Sequence, residues 1–187
     1  MNNTDFIGFP KMARLSREII ITEKLDGTNA QIYITDDGQF FTGSRTRWIT
    51  PEDDNHGFSR WAHENKNELL KLGPGRHFGE WWGKGIQRGY GINEKRFSLF
   101  NVKRWYENLE LPKCCRIVPI LAAINFDNMI EYPDDFGINA IMGMLKRDGS
   151  FAAPGYMNPE GIVIFHTAAN ICFKKTFVGD EGGKNAV

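Results

Sequence analysis

The chemistry this chain can do begins at Glu23-Lys24-Leu25-Asp26-Gly27-Thr28-Asn29, where a lysine stands two residues ahead of an acid and three ahead of a glycine. A lysine amine is a nucleophile only without its proton, and desolvation or nearby cations bring its pKa down from about 10.4. Gly27 lets the backbone approach a ligand closely or adopt a positive φ. Asp26 and Asn29 are of the right type to orient a sugar hydroxyl or a metal-bound water. A strand-end lysine beside an ordinary Asp-Gly turn would be spelled the same way. Further on, Phe78-Gly79-Glu80-Trp81-Trp82-Gly83 sets a carboxylate among glycines and tryptophans. Glu80 could meet a ribose hydroxyl with aromatic surface nearby, or simply face solvent from a core strand.

Three more segments add charge or aromatic surface. Arg96-Phe97-Ser98-Leu99-Phe100-Asn101-Val102 offers rings that could stack on a purine, although phenylalanines on a strand usually serve the core. Glu160 opens the apolar run Gly161-Ile162-Val163-Ile164-Phe165, where a carboxylate needs a cation, a metal or water to stay ionised. Ile171-Cys172-Phe173-Lys174-Lys175-Thr176 puts two lysines side by side in another apolar strand. Adjacent strand residues point to opposite faces, so one of Lys174 and Lys175 faces buried aromatics or a cleft. The sequence leaves open which.

Patterning gives the elements that must hold these groups. The β-branched run Glu18-Ile19-Ile20-Ile21-Thr22 reads as a buried strand leading into Lys24. Gln31 to Thr35 alternates, turns at Asp36-Asp37-Gly38 and returns as Gln39 to Thr42, a hairpin with an Asp-Gly turn. Phe58, Trp61, Ala62, Asn65, Leu69 and Leu72 follow helical spacing before Gly73-Pro74-Gly75, which predicts one helix over 57–72. Strands are expected at His77 to Trp82, Phe97 to Val102, Arg116 to Leu121, Gly161 to His166 and Ile171 to Phe177. A helix is expected at Phe136 to Leu145 and a loop at Ser150 to Pro159. The sum is an α+β domain, mainly antiparallel sheets with flanking helices.

Composition bounds what such a domain can be. At 187 residues with 41% hydrophobic and 13% aromatic content, the chain can bury the core of one domain. Lys+Arg 23 cancels Asp+Glu 23, so any polyanion must be met by a local cluster of cations, not by a global field. Arg45, Arg47, Arg88, Lys95, Arg96 and Lys103 are candidates for that cluster. No apolar run approaches a membrane span, and Met1 to Asp5 lacks signal-peptide character. Three cysteines make no paired framework, and the four histidines have no zinc spacing. The expectation is a soluble, reduced, cytoplasmic protein without a structural metal or membrane partner.

Taken in order, the segments resemble the collinear motifs I, III, IIIa, IV and V of the covalent nucleotidyltransferase superfamily, which comprises ATP-dependent RNA ligases, DNA ligases and mRNA capping enzymes. Lys24 through Asn29, with its asparagine five residues after the lysine, looks most like RNA ligases of the phage and RNA-editing type. Gly43-Ser44-Arg45-Thr46-Arg47 resembles the arginine segment those ligases place between motifs I and III. The resemblance spans Glu23 to Thr176.

The resemblance implies an ATP-grasp-like ligase adenylation fold and a reaction in three steps. Lys24 would attack the α-phosphorus of ATP, expel pyrophosphate and hold AMP. AMP would pass to a 5′-phosphate end, and a 3′-hydroxyl would then seal RNA ends, for instance in a nicked duplex. Glu80 would bind the ribose and Phe100 the adenine. Arg45 and Asn29 would position the sugar and reacting phosphate, and Glu23, Leu25 and Asp26 would border the nucleotide. Glu160 would bind Mg²⁺ or Mn²⁺, and Lys174 would neutralise the α-phosphate. Two departures stand out. Motif V commonly reads Lys-x-Lys, but here Cys172 takes the first place, so Lys175 or Lys184 would supply the second charge. Typical members also continue into a C-terminal domain. The expectation here is a single nucleotidyltransferase domain over 1–187 without an OB or helical addition, helped by a protein partner. Action on DNA nicks or caps, and a non-catalytic module binding nucleotide or RNA ends, are the alternatives.

Overall fold

The computed structural model describes residues 8–105 and 111–179. The expectations at Met1 to Asp5 and at Lys184 lie outside the described residues. Among the described residues, ten strands and six α-helices follow in order: β1 (Glu18–Lys24), β2 (Thr28–Ile34), β3 (Phe40–Gly43), β4 (Trp48–Ile49), α1 (Phe58–Glu64), α2 (Lys66–Leu69), β5 (Gly75–Gly83), β6 (Lys95–Leu99), α3 (Val102–Trp105), β7 (Cys115–Ile117), β8 (Ile120–Asn125), α4 (Phe126–Glu131), α5 (Pro133–Phe136), α6 (Ile138–Asp148), β9 (Gly161–His166) and β10 (Ile171–Thr176). They build two sheets. The first has the order β10-β9-β1-β8 and the second β4-β3-β2-β5-β6-β7. All pairings are antiparallel except β6 with β7.

Three apolar clusters hold the layers together. α6 lays Ile141, Met142 and Leu145 on Ile19, Ile21 and Ile162 of the first sheet. α1 and α2 pack Phe58, Ala62 and Leu69 on Ile32, Ile34, Trp81 and Phe97 of the second. Between the sheets sit Ile20, Leu25, Trp82, Tyr90 and Val118. Strand alternation divides these duties: Ile19 and Ile21 face α6, while Ile20 faces the second sheet. β1 is thus buried on both sides, which its β-branched run requires.

The hairpin forms as expected, with Gly38 at φ 82° in the turn. Four expectations need correction. The helix over 57–72 is broken at Asn65 (φ −102°, ψ 13°), whose side-chain amide donates to the Trp61 carbonyl at 2.8 Å. Asparagine competes with the helix ladder in this way, and a 3₁₀ turn, Leu70–Leu72, finishes the segment. The strand from Phe97 ends at Leu99, because the Asn101 side chain accepts from the Arg104 N–H and starts α3 at Val102. The strand expected at Arg116 to Leu121 is two strands in different sheets, parted by Pro119, which has no N–H for a ladder. The helix expected from Phe136 starts at Ile138 after an extended Gly137 (ψ 154°) and follows two short helices not anticipated.

Candidate active site

A cavity of ≈790 Å³ opens between the inner faces of the two sheets. That volume lies in the range of small-molecule sites. Its walls follow from strand phase. On β1, Ile20, Thr22 and Lys24 face it; on β5, Arg76, Phe78 and Glu80 do; on β10, Cys172 and Lys174 do. The register aligns Lys174 with Val163, which borders the cavity, and Lys175 with Ile162, which lies in the α6 core. Lys174 is therefore the lysine that enters the cleft, and Lys175, half-buried, belongs to the other face of the strand.

Around Lys24, distant segments meet. β1 and β9 pair Lys24 with Gly161, so Glu160 stands beside the amine, and its Oε2 lies 2.7 Å from Lys24 Nζ. Gly161 sits at φ 152°, and a Cβ there would lie 2.1 Å from the Lys175 carbonyl oxygen, so only glycine can bring Glu160 this close. Across the cavity, Glu80 accepts from the Gly27 N–H at 3.1 Å and from the Asn29 side-chain amide at 3.0 Å. Gly27 crosses tightly over β5, where a Cβ would lie 2.4 Å from the Trp81 carbonyl oxygen. Glu80 is only 7% exposed, and burial pushes its carboxyl up to about 7 against the pull of Lys24 and these hydrogen bonds.

The remaining residues of the lysine segment act as struts. Glu23 borders the cavity, but its Oε2 accepts from the Phe151 and Ala152 N–H groups at 2.8 and 3.0 Å, anchoring the loop that leads to Glu160. Burial raises the Glu23 pKa. Leu25 is buried between the sheets. The Asp26 carboxylate does not line the cavity; it holds Arg88 Nε at 2.8 Å, and Arg88 reaches on to the Asn158 carbonyl oxygen at 3.2 Å. The Asp26 N–H donates to the Tyr90 hydroxyl at 2.8 Å, and burial raises that hydroxyl's pKa, so it stays protonated. Arg45 and Phe100 line the cavity from its mouth, both exposed.

Among the described residues the lining thus carries six cations, Lys24, Arg45, Arg76, Lys103, Arg104 and Lys174, against two carboxylates, Glu23 and Glu80. On a chain of zero net charge this is the local cluster that anion binding requires. Of the six arginines and lysines named from the sequence as candidates for that cluster, only Arg45 and Lys103 join Lys24 and Lys174 in it. Arg47 pairs with Asp53, Arg88 with Asp26, Arg96 with Glu94, and Lys95 donates to the His56 carbonyl. Arg76 and Arg104 escaped the sequence reading. The first was within reach, since it shares strand phase with Glu80 through Phe78. Among the described residues no group of three or more His, Cys, Asp or Glu could hold a metal ion. Glu160 supplies one carboxylate beside the cation-rich wall. That fits a hard divalent cation carried chiefly by phosphate oxygens and water, as Mg²⁺ commonly is. No helix among the described residues is long and apolar enough to cross a membrane.

A model of the RNA ligase family matches residues 17–177, which include every residue placed in the site. No curated protein matches the chain. Among solved structures, a lysine-to-alanine mutant of the Naegleria gruberi RNA ligase with ATP and Mn has a TM-score of 0.60 at 20% identity, over 86% of this chain and 49% of that one. A glutamate-to-alanine mutant of the same enzyme with AMP and Mn gives 0.63 at 21% identity, over 87% and 50%. The structure with PPi gives 0.60 at 21%, over 86% and 50%. At these identities the likeness is one of fold, and this chain spans about half the length of those structures.

Proposed function

The chain belongs to the RNA ligase family, and on that premise we propose that it is the adenylyltransferase domain of an ATP-dependent RNA ligase, with Lys24 as its nucleophile. In the first step Lys24 Nζ, having given up a proton, attacks the α-phosphorus of ATP. A P–N bond forms, the bond to pyrophosphate breaks, and AMP remains on the lysine. AMP then passes to an RNA 5′-phosphate, and a 3′-hydroxyl displaces it as the ends are sealed. The observation that carries this reading is the meeting of Lys24, Glu80 and Lys174 in one cation-rich cavity, with Glu160 paired to the Lys24 amine beside it.

Each role rests on the chemistry of its group. Phosphoryl-type transfer depends on positioning and on neutralising oxygen charge. Lys174 neutralises the α-phosphate, and Arg45 and Asn29 help align sugar and phosphate. Glu80, poised near neutrality, can donate to as well as accept from a ribose hydroxyl. Phe100 offers its exposed ring to adenine, and Glu23, Leu25 and Asp26 fix the backbone that borders it. Lys175 backs the strand that presents Lys174. Glu160 would hold Mg²⁺ or Mn²⁺, which when bound supplies further neutralisation of the phosphate oxygens. The proposal takes 1–187 as a single nucleotidyltransferase domain. It includes a protein partner that helps grip the polynucleotide, and a cytoplasmic setting in which free thiols such as exposed Cys172 stay reduced.

Incubation with ATP labelled at the α-phosphate and Mg²⁺ or Mn²⁺ tests the first step. Label is expected on the wild-type protein and not on Lys24→Ala. Folded wild-type protein that takes up no label would refute the reading. Comparing ATP with GTP, and nicked RNA with nicked DNA, separates RNA sealing from capping and from DNA joining.

A further inference from the structure

Nucleotide chemistry at Lys24 leaves unused a group of aromatic side chains on the second sheet. Where β2 turns Ala30, Ile32 and Ile34 to the helix-covered core, Tyr33 faces the other way. The register sets it opposite Phe41 on β3 and Arg76 on β5. Trp48 on β4 stands opposite Gly43, and its indole reaches the Tyr33 ring across that gap in side chains. Ring centroids lie 6.0 Å apart for Tyr33 and Phe41, 6.1 Å for Tyr33 and Trp48, and 5.7 Å for Phe41 and Trp48. The Arg76 guanidinium lies 4.3 Å from the Tyr33 ring centre and 5.3 Å from that of Trp48.

Tyr33 is half-buried under Arg76, but Phe41, Trp48 and, beside Arg76 on β5, Phe78 are open to water at 39%, 47% and 51% exposed. Cross-strand aromatic pairs do steady a sheet. That role alone does not explain why they continue into the cavity, which Arg76 and Phe78 themselves line together with Lys24, Arg45 and Lys103. Rings on a sheet face, beside cations, are the chemistry of single-stranded nucleic acid: bases stack on the rings while the backbone follows the positive charge. Paired bases keep their faces covered by their neighbours, so an open platform of this kind suits nucleotides out of a duplex.

We propose that Tyr33, Phe41, Trp48 and Phe78, with Arg76 at the inner edge, form a stacking platform for unpaired RNA nucleotides adjacent to the end held in the cavity. The RNA is inferred from the ligase reading, but its binding is measured without ATP. Fluorescence anisotropy of a labelled single-stranded 5′-phosphorylated RNA should show Trp48→Ala binding roughly ten-fold more weakly or worse. Phe41→Leu, which keeps bulk but loses the π-face, should weaken binding several-fold, whereas Trp48→Phe should stay close to wild type. Transfer of label to Lys24 should be unchanged in these variants, and affinity for a blunt RNA duplex should change little. Unaltered single-strand binding in folded Trp48→Ala, or in Phe41→Leu should Trp48→Ala not fold, overturns the proposal. So does an equal loss on duplex and single strand, which would mean phosphate contacts only, or a changed oligomeric state by sedimentation with RNA binding intact. If wild type takes no label yet Trp48→Ala loses single-strand binding, the platform stands and the ligase reading falls.

Discussion

The two walls of the cavity are built on different principles. The first sheet brings Lys24 and Lys174 to the cavity, and Glu160, just ahead of β9, meets Lys24 in an ion pair whose side chains are 24% and 17% exposed. The second sheet brings Glu80 and Asn29, which are locked to each other and to the Gly27 backbone, with Glu80 almost wholly out of water. One wall can exchange its partners when an anion enters, because a phosphate oxygen can take the place of the carboxylate beside an ammonium as another charge-assisted acceptor. The other is fixed before anything binds. Rate should therefore depend on the first wall and stability on the second.

Lys174→Ala carries the largest effect expected from this contrast short of removing the nucleophile itself. Loss of one charge-neutralising group should slow transfer of label from ATP to the protein by about 10²–10³-fold, with the thermal unfolding curve barely moved. An equal loss of stability would mean that Lys174 holds the fold together and is not free for an incoming phosphate.

Glu80→Gln tests the other wall. A carboxyl raised from 4.5 to about 7 on folding binds its proton more tightly in the native state. Its favourable contribution is complete below about pH 4.5 and fades as the pH rises through 7. Urea titrations should show wild type losing on the order of 3 kcal/mol between pH 4.5 and 8 relative to Glu80→Gln. Glu23, also raised by burial, keeps part of the slope in the variant.

Gly27→Ala drives a methyl group into the Trp81 carbonyl and should cost about 1–3 kcal/mol in the same titrations. At the low end, Arg47→Ala removes the exposed pair with Asp53, outside the cavity, and should change stability by less than about 0.5 kcal/mol and label transfer not at all.

Much of the site was legible because its parts are local. Lys24 at a strand end, Glu80 among glycines and Glu160 ahead of an apolar strand are visible as residue types in short segments. The phase of β10 limited the choice to one lysine of two, but only the register with β9 decided for Lys174. What the sequence hid is what depends on contacts between distant segments. Nothing near Arg88 announces that it ties Asp26 to Asn158, and nothing near Glu23 shows that it holds the Phe151 and Ala152 backbone. The division into two sheets turned on Pro119, whose missing N–H ends one ladder just where the chain crosses to the other. Asn65 and Asn101 misled for a related reason: apolar periodicity passes through both, while their side chains bond to the backbone and reset it.

The central claim is that the amine of Lys24 becomes covalently loaded with a nucleotide. Intact mass spectrometry after exposure to ATP and Mg²⁺ tests it most directly. The wild-type chain should gain the mass of one adenylate, reversed by pyrophosphate and absent from Lys24→Ala. A folded wild-type chain that gains no mass, or a Lys24→Ala chain that gains the same mass, would contradict it.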